Sequence, residues 1–166
     1  MSLWSQSLRE GVIAGTLGSL LSTAASALLG YRETGSAVAP THAISHWLWG
    51  KESLRAQRPS LRHTATGFIT HHVASVFWAT LYARVYGYRE KAKAPRRALA
   101  GGLATSAAAY GVDYTLTPKR FTAAFEHRLS TPARLAAYGA MALGFALGAM
   151  ALRESRGLRA GLEWAS

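Results

Sequence analysis

The sequence predicts an all-α fold: one polytopic membrane domain with four transmembrane helices in a small bundle and two short amphipathic helices at the membrane interface. Charged residues are absent from 11–30, 63–83 and 135–152, and Asp113 is the one charge within 98–117. Each run is close to the roughly 20 residues that cross a hydrocarbon core about 30 Å thick. A soluble helical bundle is the alternative, but it would carry charged residues every few positions along its outer faces.

The composition fits a single domain over the 166 residues, 49% of which are hydrophobic. A net charge of +11 would indicate nucleic acid if the cations formed one patch on a soluble domain. The Lys and Arg residues lie between the apolar runs instead, as in membrane proteins whose flanking cations attract anionic headgroups. We therefore expect membrane lipids as partners and no nucleic acid. Because the chain has no Cys, disulfides, iron–sulfur clusters and thiolate zinc sites are excluded.

The first predicted span covers 11–30. Small residues recur along it at helical spacing and form a face that another helix backbone can approach closely. These residues are Gly11, Gly15, Gly18, Ser22 and Ala25.

The connector 31–62 is too long for a bare hairpin and should hold structure of its own. Pro40 can open a helix there, and we expect the first interfacial helix from Thr41 to Gly50. Its apolar side carries Ile44 and Leu48, and its other side carries His42, His46 and Trp49.

The second predicted span, 63–83, has one polar or small face and one apolar face. The first comprises Thr64, Gly67, His71, Ser75, Trp78 and Tyr82, and the second comprises Ile69, Val73, Phe77 and Leu81. A polar stripe at membrane depth costs free energy unless it packs against other helices. We therefore expect His71 in the bundle interior and the apolar face toward lipid.

The densest short basic loop runs from Arg84 to Arg97 and leads into the third span, 98–117. In that span Asp113 shares a face with small residues and should point inward, with Tyr110 at the edge of that face. Because a short loop makes the two spans antiparallel neighbours, and because Asp113 and His71 lie at similar depths, we expect their side chains to be neighbours.

The fourth span is predicted at 133–152, where Thr131-Pro132 supplies an N-cap and a first helical residue. Ahead of it, Phe121, Phe125 and Leu129 recur at four-residue spacing and predict the second interfacial helix, with this side toward lipid. Within the span, small residues form another close-packing ridge that is available for self-association. The ridge consists of Ala140, Gly144 and Gly148. The basic tail after Arg153 should be exposed.

Four spans place both termini and the 84–97 loop on one side of the membrane. The Lys and Arg residues on the two sides nearly tie in number, so the orientation depends on this loop being the shortest and densest basic segment. Such loops stay in the cytoplasm. The sequence therefore predicts a multi-pass membrane protein with cytoplasmic termini.

Three motifs carry a resemblance to known proteins. Residues 39–50 have the sequence Ala-Pro-x-His-Ala-Ile-Ser-His-Trp-Leu-Trp-Gly, residues 62–64 (Arg-His-Thr) precede the His71-His72 pair, and residues 113–120 have the sequence Asp-Tyr-x-x-Thr-Pro-x-Arg. With the Gly-rich first span, this layout resembles small four-span bacterial inner-membrane proteins and is distantly similar to the YagU-like family. The resemblance implies a four-span inner-membrane protein and supplies neither a reaction nor catalytic residues.

The candidate site is a buried polar cluster of His71, Asp113, Tyr110 and Ser75. Its side chains could fix helix register through hydrogen bonds, each contributing about 0.6–2 kcal/mol in a membrane bundle, and need no ligand for this. They could alternatively relay protons or ions, which would require an oligomer because four short helices rarely enclose a conduit alone.

A metal site is a further hypothesis. His42 and His46 are four residues apart on one helical face, and with His71 and Asp113 they would offer three nitrogens and one oxygen to zinc or another divalent ion. His63, at the mouth of the second span, and His72 are accessory candidates. Haem is less favoured, because His71 and His72 point about 100° apart on one helix and the other three spans hold no histidine.

The sequence favours a small, non-enzymatic accessory or binding protein of the inner membrane. It holds one intramembrane carboxylate and no supported Ser-His-Asp order, so no reaction class can be named. Its partners would be lipids, another membrane protein, or a second copy bound through Gly and Ala faces. The alternative is a metal-binding or proton- or ion-conducting protein that uses the His/Asp cluster.

Overall fold

The computed structural model describes residues 2–56, 58–87, 89–118 and 125–163. All the regular secondary structure within these ranges is helical, which confirms the all-α prediction. The α-helices are α1 (Leu3–Thr34), α2 (Ala39–Ile44), α3 (His46–Trp49), α4 (Lys51–Arg55), α5 (Thr66–Tyr82), α6 (Pro95–Gly111) and α7 (Thr131–Glu163).

Helix α1 extends well beyond the predicted span at both ends. It begins where the Ser2 side chain accepts a hydrogen bond from the Ser5 amide, and it ends at Gly35, whose positive φ of 74° forms a left-handed cap. Helix α7 likewise continues past Arg153 to Glu163, so the tail expected to be merely exposed is helical. The Ala, Leu, Arg and Glu residues of this tail have high helix propensity.

Helix α5 is extended by π-helical turns on both sides, Leu61–Ala65 and Ala83–Gly87. Helix α6 is extended in the same way by the π-helical turn Val112–Leu116, which contains Asp113. The π-helical turns keep the chain helical from 61 to 87 and from 95 to 116, which covers nearly all of the second and third predicted spans.

The four long helices pack as a ring in the order α1, α5, α6, α7. The tightest packing joins α1 to α7 and to α5, and the seam between α5 and α6 is the least closely packed of the four. Gly15 lies against the backbone of Val76 on α5, and Gly18 lies against Gly144 on α7. The small residues of α1 and α7 therefore pack against helices of the same chain rather than against a second copy.

The first connector does not form one helix from Thr41 to Gly50. It breaks into α2, α3 and α4, with Ser45 between the first two and Gly50, at a φ of 60°, between the last two. His42 is fully buried, whereas Leu48 on the side predicted to be apolar is exposed. The predicted amphipathic faces are wrong because this segment folds over the end of α5 and makes contacts on several sides.

The second interfacial helix also needs correction. Phe121 lies outside the described residues, and Phe125–His127 form a single 3-10 turn. Phe125 and Leu129 do not face outward: both are 4% exposed and pack with Ile44 in a small core at this end of the ring. They are apolar because they fill this core.

The outward faces of the long helices are apolar. Ile69, Val73 and Phe77 are each more than half exposed, as the sequence predicted for α5. Among the described residues, two helical stretches, Leu3–Thr34 and Thr131–Arg153, are long and apolar enough to cross a membrane. Helices α5 and α6, with 17 residues each, are not among them, so two of the four predicted spans meet this test.

Candidate functional site: an interior cavity

A cavity of about 60 Å³ lies inside the ring of long helices, and all four contribute to its wall. Its polar lining comprises Ser22, Thr70, His71, Ser75, Asp113 and Tyr138, and its apolar lining includes Ile44, Trp47, Trp78, Ala109, Phe125 and Met141. The residues Ile44, Trp47 and Phe125 come from the connectors. A cavity of this size can hold a few water molecules or a small chemical group.

His71 bonds to helix α1. Its Nε2 lies 2.7 Å from Oγ of Ser22, while the Ser22 hydroxyl lies 2.7 Å from the carbonyl of Gly18. A hydroxyl has one proton, so when Ser22 donates it to Gly18 the imidazole is the donor in the other bond. This arrangement anchors His71 to α1.

The neighbouring His72 repeats the pattern about one turn along α1. Its Nδ1 lies 2.8 Å from Oγ of Ser19, whose hydroxyl donates to the carbonyl of Thr16 at 2.9 Å. The two histidines together bind α5 to α1 through two buried serines. The sequence placed Ser22 on the packing face but did not identify it as a histidine partner.

Asp113 accepts a hydrogen bond from the Tyr138 hydroxyl on α7. Tyr110 packs edge-on against the Tyr138 ring, with ring centroids 5.2 Å apart, and its ring is tilted by 41° against the Tyr114 ring at 4.6 Å. Ser75 donates to Sδ of Met141 at 3.7 Å. The sequence reasoning missed Tyr138 as the partner of Asp113. It could have been found, because a tyrosine hydroxyl buried in the uncharged fourth predicted span needs a hydrogen-bonding group.

The predicted cluster is thus brought together only in part. His71, Asp113 and Ser75 all line one cavity, but the hydrogen bonds of His71 and Asp113 go to Ser22 and Tyr138 respectively. The reason lies in the packing order: the α5–α6 seam is loose, so α1 and α7 supply the nearer partners. Tyr110 stands beside the cavity as an aromatic neighbour of Tyr138.

The four proposed metal ligands are not brought together. His42 bonds through Nδ1 to the carbonyl of Ala56 at 3.0 Å and through Nε2 to Oγ1 of Thr64 at 2.7 Å. Nδ1 of His46 lies 2.7 Å from the carbonyl of Ala43. Within the described ranges, no group of three or more His, Asp or Glu side chains is placed to hold a metal ion. The cavity also leaves no room for a porphyrin ring.

His63 lies near His42 and away from the cavity. The two rings are 5.7 Å apart, and Nε2 of His63 is 3.9 Å from a carboxylate oxygen of Glu52. The pKa of His42 is lowered, chiefly by burial and further by nearby His63 and Arg128, against the opposing effect of its bond to Ala56. Through its two hydrogen bonds, His42 connects the segments that contain Ala56 and Thr64.

Within the described residues, the fold and cavity define an all-helical protein with a small, mainly apolar cavity that carries a few polar groups and is partly lined by the connectors. No protein-family model, curated protein or solved structure matches the chain.

Proposed function

We propose that this chain is a small multi-pass protein of the bacterial inner membrane that binds a small molecule or group in its interior cavity and catalyses no reaction. The cavity is the observation that carries the proposal. It combines an aromatic and aliphatic lining with a few converging polar groups, which is the usual composition of a ligand pocket.

The proposal of four spans is supported by continuous helix and by apolar outer faces. With their π-helical turns, the second and third helical segments each extend for about 30 Å or more, enough to cross the hydrocarbon core. Ile69, Val73 and Phe77 on α5 and Leu20 and Leu28 on α1 are all exposed. These are side chains that lipid would cover.

The hydrogen bonds favour binding over catalysis. Ser22 and His71 form a serine–histidine pair, but the serine proton is directed to the Gly18 carbonyl, and the acidic residue on the cavity, Asp113, bonds to Tyr138 instead. An activated nucleophile needs a base to take its proton and a third group to orient that base. When the Ser22 proton is donated to the Gly18 carbonyl, His71 does not take it, and the hydrogen bond of Asp113 goes to Tyr138 rather than to His71.

The binding proposal is tested by filling the cavity. Ala109 lines it and is 1% exposed, whereas its neighbour Ala108 is exposed. Ala109→Val adds two methyl groups inside, and Ala108→Val adds them outside at equal helix-propensity cost. Protein purified in a mild detergent should carry a co-purifying small molecule by native mass spectrometry, lost in Ala109→Val and kept in Ala108→Val. Equal occupancy in both variants, or an empty wild-type protein, would contradict the proposal.

The membrane placement has its own test. Alkaline carbonate should leave the protein in the membrane pellet, and a reporter fused after Ser166 should be active on the cytoplasmic side. Release into the supernatant would contradict the membrane assignment, and a periplasmic reporter signal would reverse the orientation.

Proton or ion movement is the second candidate, because two titratable side chains, His71 and Asp113, line one cavity. Proteoliposomes that carry a pH-sensitive dye would detect it. Flux that disappears in Asp113→Asn would favour conduction. Wild-type vesicles as tight as empty ones would leave ligand binding as the function of the cavity.

A further inference from the structure

A second, shallower cleft lies where α5 ends and α6 begins. It has a volume of about 430 Å³ and is lined by Val85, Tyr86, Arg89, Lys91, Ala92 and Arg97. Three of these residues are cationic and exposed at the surface. The cleft lies near the end of the bundle that holds the 84–97 loop, far along α5 from the interior cavity.

A buried ion pair anchors the 84–97 loop, which forms this cleft, to helix α1. Lys93 is completely buried, and its Nζ lies 3.0 Å from Oε1 of Glu10, which is itself 5% exposed. Gln6 donates a second hydrogen bond to the same oxygen at 3.1 Å. A charge-assisted bond of this kind, shielded from water, holds a loop in one position. This pair therefore anchors the loop that carries the exposed cations.

The cleft also has an apolar part, formed by Val85 and Tyr86. Tyr86 lies so close to Gly101 on α6 that a side chain at that position would collide with its ring, and the Tyr86 ring stacks on Tyr82 at 6.0 Å. Val85 beside it is 74% exposed. Exposed cationic residues and exposed apolar residues thus lie side by side in the cleft, where the loosely packed α5–α6 seam begins.

We propose that this cleft binds one anionic phospholipid, with its phosphate among Arg89, Lys91 and Arg97 and its acyl chains directed along the α5–α6 seam. The proposal rests on the membrane placement in the proposed function. A free phosphate would use the three cations and leave the exposed Val85 and Tyr86 uncovered, whereas a lipid engages both parts of the cleft.

The test compares charge at the two ends of the molecule. The cleft variant, Arg89→Gln/Lys91→Gln/Arg97→Gln, removes the three cations of the cleft. The control variant, Lys51→Gln/Arg55→Gln/Arg58→Gln, removes three cations from the first connector, 31–62. Delipidated protein is titrated with phosphatidylglycerol, with phosphatidylcholine and with inorganic phosphate, and bound species are counted by native mass spectrometry. Each cation near an anionic surface is worth about fivefold in affinity, so the cleft variant should lose tenfold or more.

We expect the wild-type and control proteins each to bind one phosphatidylglycerol molecule tightly. The cleft variant should bind phosphatidylglycerol with at least tenfold lower affinity. Phosphatidylcholine should bind more weakly than phosphatidylglycerol to the wild-type and control proteins. Gly101→Ala should also weaken binding without any change of charge, because it displaces Tyr86. Equal losses in the control, no preference for the anionic lipid, or displacement by inorganic phosphate alone would each overturn the proposal. Circular dichroism confirms that each variant is folded, and carbonate extraction tests membrane insertion separately, so failure of this site is distinguishable from failure of the proposed function.

Discussion

Lys93 extends from the basic loop into the protein, and its ammonium group lies 3.0 Å from the carboxylate of Glu10 near the start of α1. From the sequence, Lys93 belongs to the dense basic loop 84–97 that flanks the predicted spans. In the fold, Lys93 and Glu10 neutralise each other out of contact with water. The buried pair connects the loop between α5 and α6 to the first helix.

Removing one partner of this pair should be strongly destabilising. Lys93→Met leaves the Glu10 carboxylate buried without its cation, which costs about 3–5 kcal/mol of unfolding free energy. Denaturant unfolding in detergent measures this loss. Lys91→Met, on the exposed side of the same loop, is the matched control and should change stability little. Similar stabilities for the two variants would show that the pair does not fix the loop.

The His71–Ser22 bond should appear as a coupling energy. Ser22→Ala and His71→Ala should be less than additive in a double-mutant cycle, with a coupling of about 0.6–1.7 kcal/mol, because each removes the same bond. A parallel cycle of His71→Ala with Asp113→Asn should give a smaller coupling, since the hydrogen bond of Asp113 goes to Tyr138. A larger coupling in the second cycle would favour the direct His71–Asp113 pair that the sequence suggested.

Two glycines of α7 should respond to alanine in opposite directions. A Cβ at Gly144 would meet the backbone of Gly18, so Gly144→Ala should destabilise the protein by about 1–3 kcal/mol. A Cβ at Gly139 meets nothing within 4 Å, so Gly139→Ala should stabilise by up to about 1 kcal/mol through helix propensity. Thermal unfolding of both variants measures the difference. If Gly144→Ala changed oligomeric state and left monomer stability intact, its packing against Gly18 would be refuted.

The burial of His42 should make the stability of the protein depend on pH. Its pKa in the folded protein is below its ordinary value of 6.5, mainly because it is buried. Below pH 6.5 the unfolded chain therefore takes up a proton that the folded chain does not, so this part of the stability is present above pH 6.5 and declines as pH falls toward the folded pKa.

Unfolding of the wild type and of His42→Gln at pH 8 and pH 5 measures this dependence. The wild type should lose more stability on acidification than the variant does. His127→Gln, at an exposed histidine, is the control and should behave as the wild type. Equal losses in the wild type and in His42→Gln would show that His42 is not the group responsible.

Some features follow from the sequence because they are local. Runs of uncharged residues predict where the long helices lie, and the 3.6-residue period separates the exposed face of α5, with Ile69 and Val73, from the face that holds His71. The small residues of α1 and α7 also predict close packing. These properties depend on residues a few positions apart, so no knowledge of the rest of the chain is needed.

The partners of the polar groups could be decided only by the tertiary structure. The sequence expected α5 and α6 to be close neighbours because a short loop joins them, yet α5 packs mainly on α1, and His71 meets Ser22 there. Phe125, expected to face lipid, is buried, and so is Lys93 of the basic loop. Which helix approaches which, and how closely, depends on the fit of side chains from distant parts of the chain, where a glycine or a bulky ring opposite determines the distance between two backbones.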